Sequence, residues 1–176
     1  VVVLSLLFLV IFIFVKGLPH ISWNFLFGES GNAGMTLAPA FVSTGMLIGL
    51  SLLIALPIGI MAAVYLVEYA KKGSRGIKII RLFTETLAGI PSIVFGLFGM
   101  IFFGGVLGMG YSLLAGSLTL VLIILPTIIR STEESLISVH DSLREGSYAL
   151  GAGKLRTIFK IVVPSALSGI VTAVIL

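Results

Sequence analysis

Few side chains in this sequence are able to do chemistry. His140 and Asp141 stand side by side, an imidazole and a carboxylate suited to proton transfer. Asp141 is the only aspartate, and no nucleophile is paired with it by spacing. The two read better as a helix start, where a short acidic side chain bonds nearby backbone. Gly151-Ala152-Gly153-Lys154 has the look of a nucleotide phosphate loop. That loop also needs glycine at position 148 and Ser or Thr at 155, where Tyr148 and Leu155 stand, and no strand precedes it. Nucleotide binding by this chain is therefore excluded. There is no cysteine, so disulfides and thiolate-bound metals are excluded too, and His20 and His140 are too far apart to suggest one site.

The remaining candidates suit an anion. Arg81 and Glu85 are four apart and can pair on one helix face. Arg130 has Glu133 and Glu134 within reach, and the arginine fork matches a phosphate. These charges can instead anchor helix ends by snorkelling at the membrane interface. Pro91 removes a backbone hydrogen bond and clashes with the carbonyl of Leu87. Gly89 weakens the same stretch, and Ser92 adds a hydroxyl. A broken helix of this kind can offer backbone groups to an anion, or can be a kink used for packing.

The elements that must position these residues are membrane spans. Of the 176 residues, 58% are hydrophobic and 10% charged. A soluble domain carries about 25% charged residues. The mean hydropathy of +1.23 points the same way. The net charge of +4 is then read by its placement, not as a nucleic-acid signal. The pattern predicts an all-α polytopic bundle forming one transmembrane domain over 1–176. Its spans fall at about 1–15, 41–67, 84–104, 111–130 and, in part, 165–176, with a cytoplasmic loop at 131–164. Thr86 to Ile129 carries no charge across 44 residues. One helix of that length would be roughly 66 Å long, about twice the hydrocarbon thickness. It must therefore turn, and Gly104 to Gly110 is the place.

Ten of the eleven basic residues lie in the 68–85 and 130–160 regions, Lys71 and Lys72 among them, and only Lys16 falls on the other side. The positive-inside rule makes those loops cytoplasmic. Trp23 and the nearby phenylalanines of the 16–40 loop suit the outer headgroup level. Val1 and Leu176 both stand inside apolar runs, which predicts a piece of a longer protein. The run Val1 to Val15 is not read as a signal-peptide core, because no small-residue cleavage site follows it. Gly45, Gly49, Gly96, Gly99, Gly104 and Gly108 are expected to let helices approach closely. Pro57 and Pro126 are expected to be kinks.

The loop contains a helix, a glycine turn and a second helix. Ser142 and Glu145 have capping-box spacing, predicting a short helix over 143–150. Gly151-Ala152-Gly153 ends it, glycine taking the left-handed conformation cheaply. A second helix opens near Lys154 and carries Leu155, Ile158, Phe159 and Val162 as an apolar stripe. Pro164 marks the entry to the last span. A short exposed helix on a fixed base suits a partner's groove.

From Glu145 to Gly151 is six positions, from there to Ile161 ten more, and Pro164 follows. The segment resembles the cytoplasmic signature of binding-protein-dependent ABC importer permeases of the MetI-like type. That signature is Glu-Ala-Ala, three residues, Gly, nine residues, Ile-x-Leu-Pro. Gly146-Ser147 replace its two alanines and Val163 its leucine. Two further stretches, "ALPIGIMAAVYLVEYA" (55–70) and "LAGIPSIVFGLFG" (87–99), resemble phosphate permeases of the PstA type within that family.

The resemblance implies a chain that does no covalent chemistry, holds no cofactor or metal, and leaves ATP to a partner. It implies a prokaryotic cytoplasmic membrane, a homologous permease, two ATPase subunits and an extracytoplasmic phosphate-binding protein, with lipid around the spans and no nucleic acid. It implies ATPase docking at Arg144, Glu145, Tyr148, Ala149, Leu150, Gly151, Ala152 and Gly153. More weakly, it implies a substrate path at Arg81, Glu85, Pro91, Ser92 and Arg130. The sister phosphate permease, or a permease for sulfate, molybdate, phosphonate or an amino acid, would fit the same loop.

Overall fold

The computed structural model describes residues 1–28, 36–70 and 75–175, so Lys71 and Lys72 lie outside the described residues. These residues are helical, with no strand among them. Three helices are long and apolar enough to cross a membrane: Val2–His20, Ala38–Tyr69 and Leu113–Ile137. Two bent pairs raise the number to as many as five. The chain is an all-α, multi-pass membrane protein.

The chain divides at Met46. In the first unit, α1 (Val2–Gly17) has no buried residue. Lys16 in its last turn complements the negative end of the helix dipole. The short α2 (Trp23–Phe27) starts at Ser22, whose hydroxyl accepts from the Phe25 N–H at 3.2 Å. The Trp23 and Phe27 rings lie 4.8 Å apart.

The second unit holds most of α3 (Ala38–Val64), which ends in a π-helical turn, Tyr65–Tyr69. It also contains α4 (Arg75–Ala88), α5 (Ser92–Gly99, extended by a π turn to Val106) and α6 (Leu113–Ile137). α6 starts at Ser112, whose hydroxyl caps the Ala115 N–H at 3.2 Å. Then come α7 (Asp141–Ala149), α8 (Lys154–Thr157, extended by a π turn to Val162), α9 (Val163–Ser165) and α10 (Leu167–Ile175). Pro57 and Pro126 both sit inside unbroken helices.

α3 and α6 pack through Ala55, Val121 and Ile128. Gly59 makes the approach possible, because a Cβ there would overlap Ile128. Ser51 donates to the carbonyl of Ser117 at 3.3 Å within the same seam. The largest buried cluster sits at the loop end of the bundle. It joins Ala63 and Val64 of α3, Leu136 and Val139 at the end of α6, Ile158 and Val162 after α8, and Ala166 and Ile170. Leu136, Ile158 and Val162 are fully buried. Burial of each such side chain contributes roughly 1.5–3 kcal/mol. A third cluster, Leu66, Ile77 and Ile129, fastens α4 to α3 and α6.

Several expectations change. The stretch 84–104 is not one helix: Thr84–Ala88 belong to α4, and α4 lies at 95° to α5. The break falls at Gly89–Pro91, and Pro91 is the residue before α5, not an internal kink. Proline disfavours the helical region for Ile90, and the Ile90 N–H turns to the Leu87 carbonyl at 3.2 Å. The turn after α5 does lie at its glycines, with Gly108 and Gly110 at positive φ of 67° and 59°.

Of the glycines expected to admit a neighbouring helix, only Gly99 does so, against Thr119. A Cβ on Gly45, Gly49, Gly96 or Gly108 would meet nothing within 4 Å, and Gly104 approaches Gly110 in its own turn. Gly59 against Ile128 and Gly169 against Ser135 are close contacts too, and both escaped the spacing argument. Glycine spacing alone does not say which face of a helix has a neighbour.

Candidate functional site, the α7–α8 hairpin

α6 ends at Ile137, and Ser138 to His140 turn the chain into α7. The expected capping box is absent. α7 begins two residues before Leu143, with His140 ahead of its first turn and no side-chain cap. Ser142 lies inside the helix and not at its start. Asp141 occupies the first helical position, where its charge complements the dipole. Arg144 then reaches back to it at 3.0 Å.

The C-terminal end follows the sequence reading. Gly151 has φ of 81°. Its N–H donates to the Tyr148 carbonyl at 2.9 Å, and the Ala152 N–H donates to the Ser147 carbonyl at 3.1 Å. That pair of bonds is a Schellman motif, which satisfies the last carbonyls of α7. α8 then runs back beside α7. The Ser147 and Thr157 hydroxyls meet at 2.8 Å, both buried, and tie the two arms.

The apolar stripe of the second arm differs from expectation. Thr157, Ile158 and Val162 are buried, whereas Leu155 and Phe159 are 64% and 55% exposed. The π turn Ile158–Val162 adds a residue to the repeat, so the face that meets α3 and α6 is not the one an ideal α-helix would present.

The structure sorts the docking candidates into two groups. Glu145, Tyr148, Ala149, Leu150, Gly151 and Gly153 are exposed and Ala152 half-buried, with Leu150 the most exposed at 91%. They form the apex of the hairpin. Arg144 turns inward instead, its side chain 13% exposed. Its guanidinium donates to the Glu68 carboxylate at 3.1 Å and to the carbonyls of Leu136 and Val139 at 2.8 and 2.7 Å. One side chain thus satisfies a carbonyl left free in the last turn of α6 and another in the turn that follows it. At the other end of the hairpin, the Lys154 ammonium lies 4.6 Å from the centre of the Tyr69 ring.

The path candidates fall into separate places. Arg81 does not pair with Glu85. It bonds Glu133 on α6 and, with Glu68, Asp141 and Arg144, borders a cavity of about 490 Å³. Arg130 pairs with Glu134 at 3.3 Å, and both are mostly exposed. Glu85, Arg130 and Glu134 share a smaller cavity of about 160 Å³ with Pro126. Both arginine forks therefore already face a carboxylate. Pro91 and Ser92 are exposed at the α4–α5 break and border neither of these cavities.

Glu68, Tyr69, Ser147 and Thr157 are the residues that sequence reasoning missed. Glu68 carried a signal: it is the first charge after 38 uncharged residues, Ser30 to Val67. Among the described residues no cluster of His, Asp or Glu is arranged to hold a metal ion.

Residues 55–176 match the family described as binding-protein-dependent transport system inner membrane component. The chain is 46% identical over 129 residues to the phosphate transport system permease protein PstA 1 of Mycobacterium tuberculosis, covering 73% of this chain and 41% of that protein. It is 41% identical to the PstA permease of Yersinia pestis, over 82% of this chain and 48% of the relative. It is 32% identical to the probable ABC transporter permease protein YqgI of Bacillus subtilis, over 94% of this chain and 56% of the relative. The chain spans about half the length of the curated relatives it matches. The helical bundle, the hairpin geometry and these matches agree: the chain belongs to the binding-protein-dependent transport system inner membrane components, the permease family of ABC transporters.

Proposed function

We propose that this chain is the membrane-spanning permease subunit of an ATP-driven phosphate importer in a prokaryotic cytoplasmic membrane. The observation that carries the reading is the α7–α8 hairpin. It is internally tied, rooted on two spans, and exposes Glu145, Tyr148 and Leu150 at its apex. A rigid exposed apex suits a cleft on a partner, and here the partner is the ATPase. Four relatives whose names specify phosphate transport, at 41–46% identity, support the cargo.

In this reading two ATPase subunits bind and hydrolyse ATP below the membrane, and the chain itself holds no cofactor. A homologous permease completes the path, and an extracytoplasmic binding protein delivers phosphate from the other side. The basic residues Arg75 and Lys78 of α4, Arg130 of α6 and Lys154 and Arg156 of α8 lie on the cytoplasmic side in this reading. ATP-driven closure of the ATPases displaces the hairpin, and the spans alternate between outward and inward access. Arg81 and Arg130 border the cytoplasmic mouth. Their carboxylate partners hold the forks until an anion competes for them.

The test is uptake of labelled phosphate into vesicles that hold the full-length chain, its sister permease, the ATPase and the binding protein. ATP-dependent uptake blocked by phosphate but not by sulfate or molybdate is expected. Assembly with ATP hydrolysis but no phosphate uptake would discard the cargo. Uptake with no dependence on ATP would discard the coupling role of the hairpin.

A further inference from the structure

Two directional contacts of the hairpin land on one short element at the end of α3. Arg144 precedes the exposed apex and bonds Glu68. Lys154 follows the apex and sits over Tyr69. Glu68 and Tyr69 are neighbours in the π turn Tyr65–Tyr69 that ends α3. The Glu68 side chain is 8% exposed and its partner 13%, so the pair is shielded from screening by salt.

We propose that this π turn is the relay by which displacement of the hairpin reaches the membrane spans, with Glu68 and Tyr69 as its attachment points. This inference rests on the ATPase-coupled reading above and names the residues through which that coupling passes.

Three observations support it. The hairpin is stiff: its turn is closed by the Schellman bonds and its arms by Ser147 and Thr157, so a push on the apex is passed on and not absorbed. The remaining contacts of the hairpin with α3 are apolar, Ile158 and Val162 against Ala63 and Val64, and apolar packing fixes distance but little direction. The ion pair fixes direction, because Arg144 is itself held by the Leu136 and Val139 carbonyls and can swing only with the end of α6. The receiving element is also unusual. The Ala70 N–H bonds the Tyr65 carbonyl at 3.0 Å across five residues, a wide turn of the kind that recurs at functional sites.

Glu68, Tyr69, Arg144 and Lys154 act in this proposal as positioning residues, through the hairpin and the end of α3. The test uses the full-length permease assembled with its sister, ATPase and binding protein in vesicles. Retention of the ATPase, ATP hydrolysis and phosphate uptake are measured together. Glu68→Gln and Arg144→Gln are each expected to keep the ATPase bound and to lower uptake per ATP by about tenfold, a typical coupling free energy. The double variant is expected to be no worse than Arg144→Gln alone, since the Glu68 contact is already lost there. Lys154→Gln, at an exposed position, is expected to lower uptake per ATP by about threefold.

Unchanged uptake per ATP in Glu68→Gln, with the ATPase bound, would overturn the relay and leave the coupling reading standing. If Glu68→Gln does not assemble, Lys154→Gln decides, and unchanged uptake per ATP there would overturn the relay. Failure of the unmodified chain to retain the ATPase would overturn the coupling reading and the relay with it.

Discussion

Ser147 and Thr157, ten positions apart, share a hydrogen bond of 2.8 Å between their hydroxyls at the base of the hairpin. Both residues are at most 5% exposed. Water cannot replace either partner, so the bond holds α7 and α8 as one body while the apex stays in solvent.

Removing the Thr157 hydroxyl leaves the buried Ser147 hydroxyl without this partner. Thr157→Val is expected to lower stability by about 1–3 kcal/mol. Ser147→Ala combined with Thr157→Val is expected to cost less than the sum of the two, because no orphaned hydroxyl remains. Thermal unfolding of the purified chain in detergent checks both, and a strictly additive double variant would contradict the shared bond.

Gly151 is required for its backbone, not for space. Its φ is 81°, and a Cβ there would meet nothing within 4 Å. Gly151→Ala is expected to cost about 1–2 kcal/mol from the left-handed conformation alone. Gly151→Asn should recover part of that, since asparagine tolerates this region. Stability and uptake measured on both variants test this, and an alanine as benign as asparagine would refute it.

The close helix contacts should be uneven along the chain. Gly59→Leu and Gly169→Leu force side chains into Ile128 and Ser135 and are expected to cost about 1–3 kcal/mol each. Gly49→Ala enters open space within α3 and is expected to stabilise the isolated chain by about 0.5–1 kcal/mol. Detergent melting curves of the three variants give the comparison directly.

Thr132 is fully buried on α6, and its hydroxyl has no hydrogen-bond partner among the described residues. Thr132→Val keeps the shape and removes the unsatisfied group. A gain of about 1 kcal/mol in stability is expected. A loss of similar size would mean that the hydroxyl finds a partner in the assembled protein.

The 95° bend between α4 and α5 should outlast its proline. Ile77 packs against Leu66 and Ile129, and Arg81 bonds Glu133, so α4 is held from its side. Pro91→Ala is expected to leave the distance between spin labels on α4 and α5 unchanged. A shift toward a straight helix would show that the proline alone sets the angle.

The sequence by itself determined the membrane class, the turn after α5, the glycine stop at Gly151 and the family signature of the loop. These depend on local composition, on the backbone freedom of single residues, or on fixed spacing. It also placed Pro91 at a weak point, but proline marks where a helix can break, not how far it bends. Only the tertiary structure decided which faces meet. The π turns at Tyr65–Tyr69 and Ile158–Val162 shift the helical phase, so the stripe drawn from a 3.6-residue repeat held the buried Ile158 and Val162 but added the exposed Leu155 and Phe159 and missed the buried Thr157. Charge partners were hidden for a related reason. Arg81 finds Glu133, 52 positions away, and Arg144 finds Glu68, 76 positions away. Spacing reveals pairs one helical turn apart, whereas these partners are brought together by the packing of α3, α4 and α6 around one buried cluster.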